Sequence, residues 1–164
     1  MPLAFTYPLM KRFTYWPQLF LGITFNYGLI LGWTSIFGEI NLIPLIFYFG
    51  AIFWTLGYDT IYGFQDIKDD EIIGLKSTSI KFKSTPNAFL FICYSAFLTS
   101  LIFIGIFSNM NNFYFLSLIL VSVHLFFLQL KKLKISDPTE CLKIFKSNNY
   151  LGLIVFITLI IGKI

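Results

Sequence analysis

Charge is what this sequence has least of. Lys and Arg number 12, Asp and Glu 8, and there is one histidine among 164 residues. A water-soluble domain carries about twice that share of charge. With 57% of residues hydrophobic, 20% aromatic and a mean hydropathy of +0.77, the chain holds more apolar surface than it could bury within itself. A soluble globule is therefore excluded, and lipid is the solvent. Cysteine is nearly absent too: Cys93 in an apolar run and Cys141 in a polar one match neither a metal-ligand nor a redox spacing. No basic stretch precedes an apolar run at the N-terminus, so Met1 to Met10 reads as the tail of a truncated helix and not as a signal peptide. The segment Gly74-Leu75-Lys76-Ser77-Thr78 lacks two glycines of a phosphate-binding loop, which excludes an ATPase.

What is present are apolar runs of the length one helix needs to cross a bilayer, about 20 residues. They predict an all-α, polytopic membrane bundle of about five spans, near 18–37, 42–64, 86–107, 113–130 and 148–163. Polar loops lie at about 65–85 and 131–147. Within the second loop, Asp137-Pro138-Thr139-Glu140 carries an N-cap, a proline at the first helical position and a glutamate three residues on. That predicts a short surface helix from 138 to about 147. Five spans place alternate loops on opposite sides, and 11 of the 12 basic residues then fall on one side, with Lys163 alone opposite. That side is expected to be cytoplasmic. Topology and anionic lipid account for the net charge of +4, and no motif for nucleic acid is present.

An apolar span runs directly into four aspartates, Asp59, Asp66, Asp69 and Asp70. Continued as one helix, Asp59, Asp66 and Asp70 stand at i, i+7 and i+11, within about 20° of one direction. An ionisable side chain at the depth of Asp59 costs about 3 kcal/mol unless it is paired or faces a polar cavity. Carboxylates at i and i+4, with no histidine or thiolate nearby, are ligands for a hard cation, and magnesium takes one or two of them together with substrate phosphate oxygens. A solvated helix end remains an alternative for Asp69, Asp70 and Glu71, and topology alone for Lys81 and Lys83. His124, in mid-span, reads as a hydrogen-bonding group between helices or as a proton relay.

The run YDTIYGFQDIKDDEIIGLKSTSI, from Tyr58 to Ile80, resembles the second aspartate-rich motif of the UbiA prenyltransferase family, most closely its bacterial 4-hydroxybenzoate polyprenyltransferases, YDTxYAxxDxxDDxxIGxKSTAI. YPLMKRFT from Tyr7 to Thr14, followed by Pro17 and Gln18, and CLKIFKSNNYLGL from Cys141 to Leu153 match further motifs in the same order. The resemblance implies that Asp66 and Asp70 ligate Mg2+ and that Asp66, Asp70 and Lys76 are catalytic. It also implies that Asp59, Lys11, Arg12 and Tyr62 bind substrate. The expected substrates are a polyprenyl diphosphate and 4-hydroxybenzoate, in ubiquinone synthesis, in a bacterial inner membrane.

The family's first motif, NDxxDxxxxD, has no counterpart, since no aspartate precedes Asp59. The resemblance therefore covers residues 1–164 as the C-terminal part of a nine-helix domain. Activity is expected to need the N-terminal half, with a split-gene product, a decayed reading frame and a half that assembles with a separate N-terminal-half chain all open. A noncatalytic membrane remnant, or a small cation channel using the Asp59 stripe, are the rival readings.

Overall fold

The computed structural model describes residues 9–164. The expectation for Met1 to Met10 thus lies almost entirely outside the described residues. Helices run α1 (Pro17–Phe25), α2 (Tyr27–Phe37), α3 (Leu42–Gly63), α4 (Ile67–Ile73), α5 (Thr78–Lys81), α6 (Pro86–Phe107) and α7 (Asn112–Ser122). A π-helical segment, Val123–Leu130, continues α7, and α8 (Pro138–Ile161) ends the chain. Five stretches are long and apolar enough to cross a membrane: Pro17–Phe37, Leu42–Gly63, Pro86–Phe107, Asn112–Leu130 and Pro138–Ile161. The protein is an all-helical, multi-pass membrane bundle.

Helix α3 is the hub and packs against α6, α1 and α8. Lipid tails are as apolar as leucine, so burial alone does not drive helices together in a bilayer; close backbone approach does. Small residues on α3 provide it. A Cβ on Gly50 would lie 1.8 Å from the Ser100 hydroxyl of α6, and one on Gly57 2.6 Å from the Tyr94 ring. Around these contacts Leu56, Leu90, Phe97 and Leu101 are almost fully buried.

Three helix boundaries differ from the sequence expectation. The first span breaks at Asn26, whose side-chain amide donates to the Gly22 carbonyl (2.9 Å), the Ala51 carbonyl (3.2 Å) and the Thr55 hydroxyl (2.8 Å). These bonds tie the break to α3. The second span ends at Gly63, and Asp66 becomes the N-cap residue of the separate helix α4, so the continuous stripe of Asp59, Asp66 and Asp70 does not form. Third, the surface helix expected from 138 and the last span are one 24-residue helix. Nothing in Ser147, Asn148 or Asn149 stops it. The Ser147 hydroxyl donates to the Ile144 carbonyl (2.7 Å), and the Asn148 amide to Ile144 (3.3 Å) and Phe145 (3.1 Å). Polar side chains that bond back one turn are satisfied within the helix and do not end it.

The start of α8 is as the capping motif requires. The Asp137 carboxylate accepts from the amides of Thr139 (3.0 Å) and Glu140 (3.2 Å). Its pKa is held below the usual 3.8, first by the Thr139 hydroxyl and then by the Glu140 amide. A depressed carboxylate stabilises the fold above its unfolded pKa and loses that contribution as pH falls through the folded value. Hydrogen exchange at Thr139 and Glu140 should accordingly be slow at neutral pH and quicken below about pH 3.8, relative to the intrinsic rate, whereas Asp137→Ala should exchange fast at both. Equal protection in the variant would show that the cap does not hold this helix end.

Candidate functional site

The first polar loop is pinned to the bundle by buried hydroxyls. Ser77, Thr78 and Ser79 are each no more than 1% exposed. The Thr78 amide donates to Gln18 Oε1 of α1 (3.0 Å), its hydroxyl pairs with that of Thr60 (2.6 Å), and the Ser79 hydroxyl donates to the Thr60 carbonyl (2.8 Å). Ser77 caps α5 by accepting from the Ile80 amide (3.2 Å). The Lys76-Ser77-Thr78-Ser79 run thus docks the loop onto α1 and α3, and Lys76 stands at its edge.

Within this dock, two departures from the family pattern are one departure. The pattern has alanine where this chain has Gly63 and again where it has Ser79. A Cβ on Gly63 would lie 2.3 Å from the Ser79 hydroxyl oxygen, so the serine occupies the space of the missing methyl. Gly63→Ala alone should cost about 1 to 3 kcal/mol by overpacking. The cost should largely vanish in Gly63→Ala with Ser79→Ala, a coupling of about 1 kcal/mol or more. Additive losses in a thermal-unfolding cycle would refute the exchange.

The charged groups gather just outside the dock. Residues 9–13 are helical and bring Lys11 to α4. Lys11 Nζ donates to Asp70 Oδ2 at 2.9 Å, and the Lys76 amide donates to the Lys11 carbonyl at 2.7 Å. Gly74, with φ +76°, turns the chain after α4, and the Leu75 amide then donates to the Asp70 carbonyl (2.8 Å). Asp70 is 7% exposed, and Lys11 satisfies its charge from a partly buried position. Lys11 is also the cation that acts on Asp59, which is half-buried on α3 and makes no hydrogen bond to another described residue.

Of the residues expected at the site, Lys11, Asp70 and Lys76 are brought together. Asp66 stands one helical turn before Asp70, exposed, with no side-chain capping bond. Arg12 is exposed beside Lys11. Tyr62 is exposed and packs on Phe145 at 4.7 Å, across the helix break from Asp66. Glu71 pairs with Lys83 instead of facing the cluster. Among the described residues, no three His, Cys, Asp or Glu side chains converge as a metal cage. The pair Asp66 and Asp70 nonetheless fits a hard cation that takes its other ligands from phosphate and water, because both donors are carboxylate oxygens one turn apart.

A cleft of 470 Å³ lies between α1, α3 and α8, lined among others by Asn26, Trp54, Tyr58, Phe145, Lys146 and Asn148. Sequence reasoning assigned none of these a role. Their signal was there: Trp54 and Tyr58 precede Asp59 on the same helix, and Lys146 and Asn148 lie in the third motif. The cleft joins an aromatic wall to amides and one ammonium group, a combination suited to a flat ring bearing an anionic substituent.

Comparison with known proteins bears on what such a site does. The mitochondrial 4-hydroxybenzoate polyprenyltransferases of Bos taurus and Homo sapiens are each 44% identical to this chain over 163 residues, which is 99% of this chain and 44% of theirs. That of Drosophila melanogaster is 42% identical over 165 residues. The chain spans under half the length of these relatives. Their names place them in mitochondria, so the bacterial inner membrane expected from sequence has no support, and a multi-pass membrane protein is what stands. The apo structure of a UbiA homolog from Aeropyrum pernix K1 superposes with a TM-score of 0.80, covering 99% of this chain and 61% of that one, and at 22% identity it bears on the fold alone. Matched over residues 1–160 by the family's own model, the chain belongs to the UbiA prenyltransferase family.

Proposed function

We propose that this chain forms part of a polyprenyltransferase that joins a polyprenyl diphosphate to 4-hydroxybenzoate, a reaction of ubiquinone synthesis. The observation that carries the reading is the side-chain pair of Lys11 and Asp70 at 2.9 Å, with the Lys76 main chain bound to that of Lys11 at 2.7 Å, beside an exposed Asp66. Asp66 and Asp70 would hold Mg2+, which when bound supplies Lewis-acid stabilisation to a leaving diphosphate. Lys11 and Lys76 place ammonium groups where negative charge grows as the allylic C–O bond breaks and its electron pair moves to the diphosphate. Lys11 exchanges Asp70 for a phosphate oxygen as the donor binds, and Arg12 adds a second cation at the mouth.

The acceptor ring occupies the cleft of Trp54, Tyr58 and Phe145, with Lys146 facing its carboxylate and Asp59 and Tyr62 supporting the reacting end. A ring carbon then forms the new C–C bond with the allylic cation, and its proton passes to the released diphosphate, which restores the aromatic ring. The basic loops face the cytoplasm or its organellar equivalent, and residues 1–164 act as one partial domain. The remaining helices of the family fold complete the site, on the same or a separate polypeptide.

The test is reconstitution in lipid with labelled geranyl diphosphate and 4-hydroxybenzoate, with and without a separately expressed N-terminal half from a full-length relative. Prenylated product that requires magnesium and the added half supports the reading. Correct insertion with no product in either sample, across magnesium concentrations, refutes it.

A further inference from the structure

Behind the cleft, four helical segments share a buried hydrogen-bond chain. Its members are Trp54 on α3, Asn148 on α8, Gln129 and His124 on the π-helical segment, and Tyr94 on α6. The Trp54 indole donates to Asn148 Oδ1 (2.9 Å), Gln129 Nε2 donates to the same oxygen (2.9 Å), and the Tyr94 hydroxyl donates to Gln129 Oε1 (2.6 Å). Gln129 Nε2 also meets His124 Nδ1 at 3.1 Å. Tyr94 and Gln129 are fully buried, and His124 and Asn148 nearly so.

The polarity of the chain is fixed from one end. An indole N–H only donates, so the Asn148 atom facing it is the carbonyl oxygen. The Gln129 atom facing that oxygen must be its amino group, which leaves Gln129 Oε1 to accept from Tyr94. The second amino hydrogen points at His124, whose Nδ1 must accept. The imidazole is therefore the neutral Nε2–H tautomer, and an imidazolium would set two donors against each other. The π-helical segment makes this possible. In an α-helix, residues five apart diverge by about 140°, whereas the wider turn brings His124 and Gln129 to one side.

Gln129 does not border the cleft, whereas Asn148, which it bonds, and Trp54, which Asn148 bonds in turn, both do. Trp54 stacks on Phe97, with centroids 5.0 Å apart and planes at 11°, and meets Tyr58 edge-on at 5.7 Å, while its indole N–H is held by Asn148. We propose that Gln129 is a positioning residue: through Asn148 it holds the Trp54 indole in the cleft wall, and the cleft takes an aromatic acid tightly only while that indole is held. This rests on the reading of the cleft as the acceptor's seat.

The test uses the full chain in detergent with Trp16→Phe and Trp33→Phe, so that Trp54 alone emits. Gln129→Leu is expected to shift the Trp54 emission and to raise the dissociation constant for 4-hydroxybenzoate about tenfold, the effect of one lost hydrogen bond. Leu125→Ala, which opens a buried cavity in the same segment without touching an amide, is expected to destabilise the fold but to leave both readouts within about twofold. The proposal is overturned if Gln129→Leu changes neither readout, or if Leu125→Ala changes them equally. If the unaltered chain, together with the added N-terminal half, does not bind 4-hydroxybenzoate, the acceptor reading fails, while the Trp54 emission of Gln129→Leu in the chain by itself still decides whether the indole is positioned by Gln129. Should Gln129→Leu not fold, indole N–H exchange in the unaltered chain decides: slow exchange of the Trp54 proton supports the relay, and exchange at the rate of a free indole overturns it.

Discussion

Asp66→Ala is expected to abolish magnesium-dependent prenyl transfer in the reconstituted, completed enzyme, with a loss of more than about 100-fold, since even supporting groups around a metal site are worth about 10 to 100-fold. The fold should not change. Asp66 is exposed and makes no capping bond, so its carboxylate has no hydrogen-bond partner to lose among the described residues. Asp70→Ala should lose as much activity but differ in kind. Its carboxylate is buried against Lys11, and removing one member of a partly buried pair strands the other. Lys11 and the Lys76 amide that rests on its carbonyl should then loosen, visible as faster backbone exchange at Lys76. Transfer rates alone would not separate the two variants; rates together with exchange would. An active Asp66→Ala enzyme would remove the main support for a metal at this helix end.

Gly50→Val is expected to have the largest effect on stability. The position lies in the middle of α3, where a first side-chain carbon would meet the Ser100 hydroxyl at 1.8 Å and its Cβ at 2.5 Å. Neither can withdraw far, because Ser100 is buried and its hydroxyl already donates to the Phe97 carbonyl at 2.6 Å. The helices must separate, and the α3 and α6 contact is the most extensive in the bundle. Overpacking of this sort costs about 3 kcal/mol or more. Because Phe97 also stacks on Trp54, the cleft should be lost together with the packing. Detergent resistance and thermal unfolding measure it, and Gly28→Ala, which has open space around it, is the matched control. A Gly50→Val chain as stable as the control would mean that α3 and α6 do not approach this closely.

The five spans were legible because hydropathy over about 20 residues is a sum over many positions and tolerates local error. Helix breaks were not, because they turn on single side chains. Asn26 was read as mid-span, yet its amide reaches three oxygens of α1 and α3. Asn148 was read as a boundary, yet it bonds back within α8 and accepts from Trp54 94 residues away. The aspartate motif pointed to the stretch where Lys11 pairs with Asp70, and its one-face geometry failed because α3 ends at Gly63. The pairing of Lys11 with Asp70, 59 residues apart, follows from how residues 9–13 lie on α4, which no local pattern encodes. Likewise, Gly63 and Ser79 each look like an isolated departure until the structure places them in contact.

The most direct measurement is the binding of a non-hydrolysable geranyl thiodiphosphate to the reconstituted chain, by titration calorimetry, with magnesium and with chelator. Binding that needs magnesium and is lost in Asp66→Ala is the predicted result. Equal binding with chelator, or equal binding by Asp66→Ala in magnesium, would contradict a metal-diphosphate site at the head of α4.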